Sequence, residues 1–246
     1  MGNHGMAERL IVALDFSTAD EVFSFLERVP QVRYVKVGME LFYAAGSPLL
    51  EALKNRGYRI FLDLKLHDIP NTVGRAIAVL ARFGVDMINV HAAGGREMMM
   101  RAREGVERGL PPGQKAPLLI AVTQLTSTDQ RMLNEEIGIP GSVDEAVLRY
   151  ARLAQQAGMD GVVASAREVR PVKRACGREW LCVTPGIRPA GSQDDQRRVM
   201  TPGEAIQAGS DYLVIGRPIT RAADPARVFD VILAEMNRAR QNLDET

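Results

Sequence analysis

The chain has 246 residues, of which 46% are hydrophobic and 25% charged, a composition typical of a globular protein and unlike disordered, collagen or coiled-coil sequence. Its 31 Lys and Arg against 30 Asp and Glu give a formal net charge of +1, which argues against a nucleic acid or an anionic membrane as partner. No apolar run reaches the roughly 18–20 residues that cross a bilayer, and no signal-peptide core or disulfide framework is evident, so we expect a cytoplasmic protein.

Short apolar segments rich in β-branched residues alternate along the chain with longer amphipathic ones. Such segments are typical of parallel strands that are buried on both faces. Eight strands are predicted, at Arg9–Asp15, Tyr34–Gly38, Arg59–Lys65, Met87–Ala92, Leu118–Leu125, Gly161–Ser165, Trp180–Ile187 and Tyr212–Gly216.

Helix boundaries are marked between these strands. Thr18 with Glu21, and Ser142 with Glu145, have the spacing of capping boxes at helix N-termini. The last helix, from Asp224 to about Gln241, is expected to bury one broad face. The apolar residues of that face are Val228, Phe229, Val231, Ile232, Leu233 and Met236.

One helix-to-strand joint occurs three times. Segments 82–92, 156–166 and 207–217 share a glycine, one further residue, an aspartate and then an apolar strand. Repetition of a joint indicates a repeated αβ unit. Eight such units in 246 residues predict an α/β fold, a single-domain (β/α)8 barrel. The barrel is predicted over residues 9–246, after a flexible extension at 1–8. The alternative is an open doubly wound sheet. Asp86, Asp160 and Asp211 belong to these joints and are predicted to be structural.

Charged residues cluster near the C-terminal ends of the first three strands, where barrel enzymes place their sites. They are Asp15, Lys36, Asp63, Lys65 and Asp68. Alternation along a strand places Asp63 and Lys65 on the same side, facing inward. Because buried charges cost free energy unless they are paired, the set predicts a preorganised electrostatic site.

The end of the chain predicts a phosphate site. Gly216 and Arg217 follow strand 8, where backbone approach and a guanidinium suit a phosphate. The long segment from Arg188 to Met200 is interpreted as a lid that closes over substrate. Three scattered histidines do not predict a metal site.

The segment Phe61–Val73, FLDLKLHDIPNTV, resembles the D-x-K-x-x-D-I-P-x-T signature of the orotidine 5′-phosphate decarboxylase family. The similarity continues in IVALD, VKVG, VHAAGG, AVTQLTS, VTPGIR and IGRPIT, and extends from Leu10 to Ala239. The resemblance implies a homodimeric barrel that needs no metal or organic cofactor. It implies the conversion of orotidine 5′-phosphate to UMP and CO2, the last step of de novo UMP synthesis.

The resemblance also implies roles for individual residues. Lys65 is expected to donate the proton, within an array of Lys36, Asp63, Lys65 and Asp68. Asp68 and Thr72 are expected to reach the other subunit's site. The expected substrate contacts are Asp15 and Lys36 to the ribose, Thr126 to the pyrimidine, Pro185 and Ile187 in the wall formed by strand 7, and Arg188, Gln196, Gly216 and Arg217 at the phosphate, with Gln193 as an alternative to Gln196. Ile69 and Pro70 of the motif are also expected to bind substrate.

Three other functions are compatible with parts of this sequence. A sugar-phosphate decarboxylase or hexulose-phosphate synthase of the same superfamily would hold Mg²⁺ partly by an acidic residue at the end of strand 2, where this sequence has Lys36. A Schiff-base aldolase would need a lysine of depressed pKa, whereas Asp63 and Asp68 favour the ammonium form of Lys65. A phosphosugar-binding regulator would leave the buried charges unexplained.

Overall fold

The computed structural model describes residues 4–189 and 200–244, which form a closed barrel of parallel strands in sequential order, with β8 paired to β1. The strands are β1 Leu10–Ala13, β2 Tyr34–Gly38, β3 Arg59–Leu66, β4 Met87–His91, β5 Leu118–Val122, β6 Gly161–Val163, β7 Leu181–Thr184 and β8 Tyr212–Ile215. The predicted (β/α)8 barrel is confirmed, and the open doubly wound sheet is wrong. Most observed strands end earlier than predicted, because the chain turns into a loop once it leaves the barrel.

Helices connect the strands and surround the barrel. They are α1 His4–Ala7, α2 Ala19–Arg28, α3 Met39–Asn55, α4 Pro70–Leu80, α5 Gly95–Gly109, α6 Val143–Gln156, α7 Ala166–Cys176, α8 Pro202–Ala208, α9 Arg217–Thr220 and α10 Pro225–Asp244. Both predicted capping boxes are present, at Thr18 and Ser142. None of the helices in the described ranges is both long enough and apolar enough to span a membrane.

The N-terminal extension and the last helix both differ in part from their predicted descriptions. Met6 and Ala7 of α1 are buried in the core, so this part of the predicted extension packs against the barrel, and residues 1–3 lie outside the described ranges. The apolar face predicted for the last helix is narrower than expected. Val231 is 53% exposed, because the helical turn of about 100° per residue places it away from buried Phe229, Ile232 and Met236.

The barrel interior is built in layers. Its apolar floor consists of Ile11, Ala13, Tyr34, Phe61, Met87, Ile120, Val183 and Val214. Side chains along a strand return to the same face every second residue, so the next layer toward the C-terminal ends begins two positions later. On β2, β3 and β4 these positions are Lys36, Asp63 and Asn89. The same alternation that seals the floor therefore places a polar layer directly above it.

The three repeated joints lie at the opposite end of the barrel and share one geometry. Each aspartate carboxylate accepts a hydrogen bond from a backbone N–H at the start of the preceding strand, and its own N–H donates to the same residue. The pairs are Asp86 with Ile60, Asp160 with Leu119 and Asp211 with Cys182. A cation completes each joint, namely Lys54, Arg103 and Lys173. These contacts join neighbouring strands and support the predicted structural role.

Asp160→Ala is expected to lower the free energy of unfolding by about 1–3 kcal/mol, because it leaves Leu119 N–H and the Arg103 guanidinium without their carboxylate. Urea denaturation followed by circular dichroism measures the change. Asp144→Ala, in the exposed first turn of α6, is the matched control and should cost less than about 1 kcal/mol. Equal losses in the two variants would contradict the structural role of the joint.

Candidate active site

Four of the five predicted charged residues form one continuous row at the C-terminal end of the barrel. Lys36 Nζ lies 3.5 Å from Asp15 Oδ1 and 3.3 Å from Asp63 Oδ2. Lys65 Nζ donates to Asp63 Oδ1 at 2.8 Å. The order Asp15, Lys36, Asp63, Lys65 alternates in sign, so each inner charge is neutralised from both sides.

Asp63 is the most buried member of this row, with 7% of its surface exposed. Burial by itself would raise the pKa of its carboxyl group. The charges of Lys36 and Lys65, together with hydrogen bonds from Lys65 and Asn89, outweigh burial and leave the pKa below its ordinary value. Asp63 is therefore a carboxylate at neutral pH, although little of it is accessible to solvent.

An irregularity in β3 shapes the row. The register against β4 pairs Leu62 with Ile88 and then Leu66 with Val90, so β3 holds two extra residues between these pairs. Lys65 lies within this bulge and has φ of 51°, in the left-handed region. Asp63 and Lys65 do meet as predicted, but through a bulge and not through regular alternation.

Asn89 was not identified from the sequence. Its side chain is fully buried, donates to Asp63 Oδ1 at 2.7 Å and accepts from Lys65 N–H at 2.8 Å. A signal was available, because a buried amide needs hydrogen-bond partners and Asn89 stands two residues after the inward-facing Met87. Its partners could not be named from the sequence, since they belong to the bulge of another strand.

The motif residues that follow Lys65 do not join the row within this chain. Asp68 is exposed, and its Oδ1 accepts a hydrogen bond from Ile69 N–H at 2.6 Å. Ile69 is 67% exposed. Pro70 begins α4, and Thr72 is half-buried in the first turn of that helix.

A cavity of about 240 Å³ lies beside Lys65, Asp63 and Lys36. Its remaining lining is neutral and includes Thr126 and Pro185, two of the predicted site residues. Gln124, which sequence analysis missed, also lines it and is 8% exposed. The cavity thus offers apolar walls with a few amide and hydroxyl groups, and the charged row forms one side.

A second cavity of about 190 Å³ shares Lys36 and Pro185 with the first and contains Asp15, Arg188, Gly216 and Arg217. A Cβ atom at Gly216 would lie 3.2 Å from Asp15 Oδ2, so the glycine permits the close approach of β8 to the row. Two arginines that line one small cavity favour an anion there, although Arg188 Nη1 already donates to Ile187 O at 2.9 Å. Gln196 and Gln193 lie outside the described residues, as does most of the predicted lid.

His67 and His91 stack next to the row, with ring centroids 5.6 Å apart. His91 Nδ1 accepts from Ala93 N–H, so this nitrogen carries no proton. Burial lowers the pKa of His91, and the neighbouring charges of His67 and Lys65 lower it further. His91 is therefore neutral at physiological pH and adds no positive charge beside Lys65.

Together the two cavities suit a ligand with three unlike parts. The first cavity suits an uncharged part, the second suits an anionic part, and Asp15 and Lys36 between them can hydrogen-bond polar groups of the part that joins the two. Lys65 faces the first cavity and can stabilise negative charge that develops on the part bound there. The second cavity lies at the far side of the row from Lys65.

The model of the "Orotidine 5'-phosphate decarboxylase / HUMPS family" matches residues 8–232. Orotidine 5'-phosphate decarboxylase of Lactococcus lactis subsp. lactis is 54% identical over 233 residues, covering 94% of this chain and 98% of that protein. The Streptococcus mutans protein of the same name is 53% identical over 232 residues, covering 93% and 98%.

Solved structures agree with this match. A crystal structure of orotidine 5'-phosphate decarboxylase from Lactobacillus acidophilus superposes with a TM-score of 0.84 at 42% identity, covering 93% of this chain and 98% of that one. An uncharacterized conserved protein from Geobacillus kaustophilus gives a TM-score of 0.82 at 49% identity, covering 93% and 100%.

Proposed function

The chain belongs to the orotidine 5′-phosphate decarboxylase / HUMPS family, and we propose that it converts orotidine 5′-phosphate to UMP and CO2 without a metal or an organic cofactor. This would be the last step of de novo UMP synthesis, in the cytoplasm. The observation that carries the proposal is the alternating row of charges between a neutral cavity and a cationic one.

The substrate's three parts match the three parts of the site. The pyrimidine would occupy the 240 Å³ cavity, where Thr126 can hydrogen-bond its edge. The ribose hydroxyls would bind Asp15 and Lys36, and the phosphate would bind Arg188 and Arg217 beside Gly216. Gln196 is proposed to close over the phosphate as part of the lid, with Gln193 as the alternative.

The chemistry requires that the protein stabilise a carbanion. When the bond from C6 to the carboxyl carbon breaks, its electron pair remains on C6 and CO2 departs. No adjacent carbonyl can absorb this pair as an enolate, so the Lys65 ammonium is proposed to stabilise the charge and then transfer a proton to C6. Solvent later returns a proton to Lys65. Asp63 would repel the substrate carboxylate, and this repulsion disappears as CO2 leaves.

The high activation barrier of the uncatalysed decarboxylation explains why a phosphate site far from C6 is useful. Enzymes usually lower a barrier by about 8–23 kcal/mol, and a reaction this slow without a catalyst needs the upper part of that range. One ion pair cannot supply such a difference. Binding energy from the phosphate, which does not react, can be used to close the lid and to order the row of charges.

We propose that the protein acts as a homodimer in which Asp68 and Thr72 complete the partner's site. Asp68 is exposed within its own chain and follows Lys65 by only three residues. Large exposed apolar side chains also follow the C-terminal ends of strands, as expected of a face that a second copy covers. They are Met39, Tyr43, Ile69 and Leu125.

The chief alternative is a sugar-phosphate enzyme that uses Mg²⁺, since the matched family also includes HUMPS proteins. That chemistry needs an acidic ligand at the end of β2. This position holds Lys36, whose ammonium lies 3.3 Å from Asp63 Oδ2 and would repel a cation bound there. The site therefore favours the pyrimidine substrate.

The experiment follows the loss of orotidine 5′-phosphate ultraviolet absorbance after purified protein is added in EDTA. Rapid conversion to UMP is expected, with the same rate when Mg²⁺ is supplied. Failure of a folded protein to turn over this substrate, with activity appearing on a sugar phosphate plus Mg²⁺, would replace the proposal by its alternative. Trapping of substrate on Lys65 by borohydride would instead indicate a Schiff-base enzyme.

A further inference from the structure

We propose that Asn89 is the positioning residue of the charged row, an inference that rests on the proposed function. Its single carboxamide holds two separate elements of the site, the Asp63 carboxylate and the Lys65 backbone. The side chain is fully buried, so water cannot take over either hydrogen bond. Asn89 does not line either cavity and is proposed to act through these two residues.

The amide suits this place because it is both a donor and an acceptor. Asp63 Oδ1 accepts two hydrogen bonds, from Asn89 Nδ2 at 2.7 Å and from Lys65 Nζ at 2.8 Å. These two donors fix the rotation of the carboxylate and direct Oδ2 toward Lys36. A purely apolar residue at position 89 would leave the carboxylate free to rotate away from Lys65 or Lys36.

The acceptor end of the amide holds the bulge. Lys65 has a left-handed backbone, which is uncommon for a residue with a side chain and persists where neighbouring groups fix it. Its N–H donates to Asn89 Oδ1 at 2.8 Å, at the point where the register with β4 shifts. Because the Lys65 side chain starts from this backbone, a change in the bulge would move its ammonium.

The inference is tested with Asn89→Ala and Asn89→Asp. Misplacement of a reacting group by about 1 Å can cost about 100-fold, so Asn89→Ala should reduce kcat by about that factor and change KM by less than about threefold. A residue that only stabilised the core would lower the melting temperature and leave kcat of the folded protein unchanged. Thr123→Val is the matched control, because it removes one side-chain hydrogen bond of a buried residue just after β5, to Val163 O, outside the row.

Asn89→Asp adds a pH readout that a structural role would not produce. The new carboxylate can still accept from Lys65 N–H, but its other oxygen faces Asp63 Oδ1 and the two can remain close only by sharing a proton. We expect kcat of this variant to rise as pH falls, with a slope of about one proton, while the wild type stays flat over the same range. A kcat that is strongly reduced and does not change with pH would overturn the proposal, because a shared proton would then fail to restore the hydrogen bond to Asp63.

Two further measurements keep the inference separate from the proposed function. If the wild type does not decarboxylate orotidine 5′-phosphate, the proposed function fails, and the positioning role is judged on the crystal structure of Asn89→Ala. That structure is expected to show Lys65 Nζ displaced from its 2.8 Å contact with Asp63 Oδ1. An unmoved Lys65, or an active wild type with unchanged kcat in Asn89→Ala, would overturn the role of Asn89.

Discussion

Lys65→Ala is expected to reduce kcat by about 10⁴-fold or more, because it removes both the cation next to C6 and the proton donor. The fold should persist, since the lysine lies at the open end of the barrel, above the apolar floor. Asp63 retains Lys36 at 3.3 Å and Asn89 at 2.7 Å, so its carboxylate keeps two partners. Turnover of orotidine 5′-phosphate, followed by ultraviolet absorbance, measures the loss.

Lys54→Ala provides a matched control for this variant. Lys54 pairs with Asp86 at 3.1 Å, and its side chain is 34% exposed, against 31% for Lys65. The same atoms are removed from a similar ion pair, but at the opposite end of the barrel. We expect a change in stability and almost none in kcat. A near-normal rate in Lys65→Ala would refute its proposed role in proton transfer.

Hybrid dimers extend the same prediction to the proposed interface. If Asp68 completes the partner's site, Lys65→Ala and Asp68→Ala should each be nearly inactive alone. A dimer with one copy of each variant contains one intact site, because one copy supplies Lys65 and the other supplies Asp68. Random mixing of equal amounts should therefore recover about one quarter of wild-type activity. No recovery in a mixture shown to exchange subunits would place Asp68 outside the shared site.

Arg217→Ala is expected to lower kcat/KM by about 10²–10⁴-fold, affecting both KM and kcat. Arg217 lines the cationic cavity, and a guanidinium can bind two phosphate oxygens at once. Phosphate binding is proposed to order the row as well as to hold the substrate, so the loss should extend to the chemical step. Steady-state kinetics over a wide range of substrate concentrations separates the two parameters.

A substrate lacking the phosphate isolates this effect. The wild type should be activated toward the truncated substrate by phosphite dianion, and Arg217→Ala should lose most of that activation. Arg221→Ala, at the exposed end of the same short helix, is the control and should behave like the wild type. Unchanged phosphite activation in Arg217→Ala would count against closure driven by phosphate binding through this residue.

Much of this fold could be predicted because its signals are local. Each strand is a short apolar segment, each capping box spans four residues, and the three aspartate joints repeat one short pattern. These elements can therefore be predicted from residues that are close together in the sequence. Asp86, Asp160 and Asp211 could be distinguished from the candidate catalytic residues because each comes before its strand and not after it. In a parallel barrel, that order alone decides at which end a residue lies.

Part of the site was also readable from the sequence. Asp63 and Lys65 lie near the C-terminal end of one strand. Because burying a charge costs free energy unless it is paired, two opposite charges in an apolar segment indicate that they pair inside the protein. Their sequence spacing already placed them within reach of each other. The contacts of Lys36 with Asp15 and Asp63 connect β2 with β3 and with the segment just after β1, and their distances follow only from closure of the barrel.

The tertiary structure alone decided how the row is held. The bulge in β3, the left-handed backbone of Lys65 and the partners of Asn89 depend on the register between β3 and β4, which no local pattern encodes. The exposure of Val231 has a similar origin, because only packing decides how much of an apolar helix face is covered. The sequence thus determined which residues carry charge and at which end of the barrel they lie. The register between strands determined their distances, because it brings together residues that are far apart in the chain.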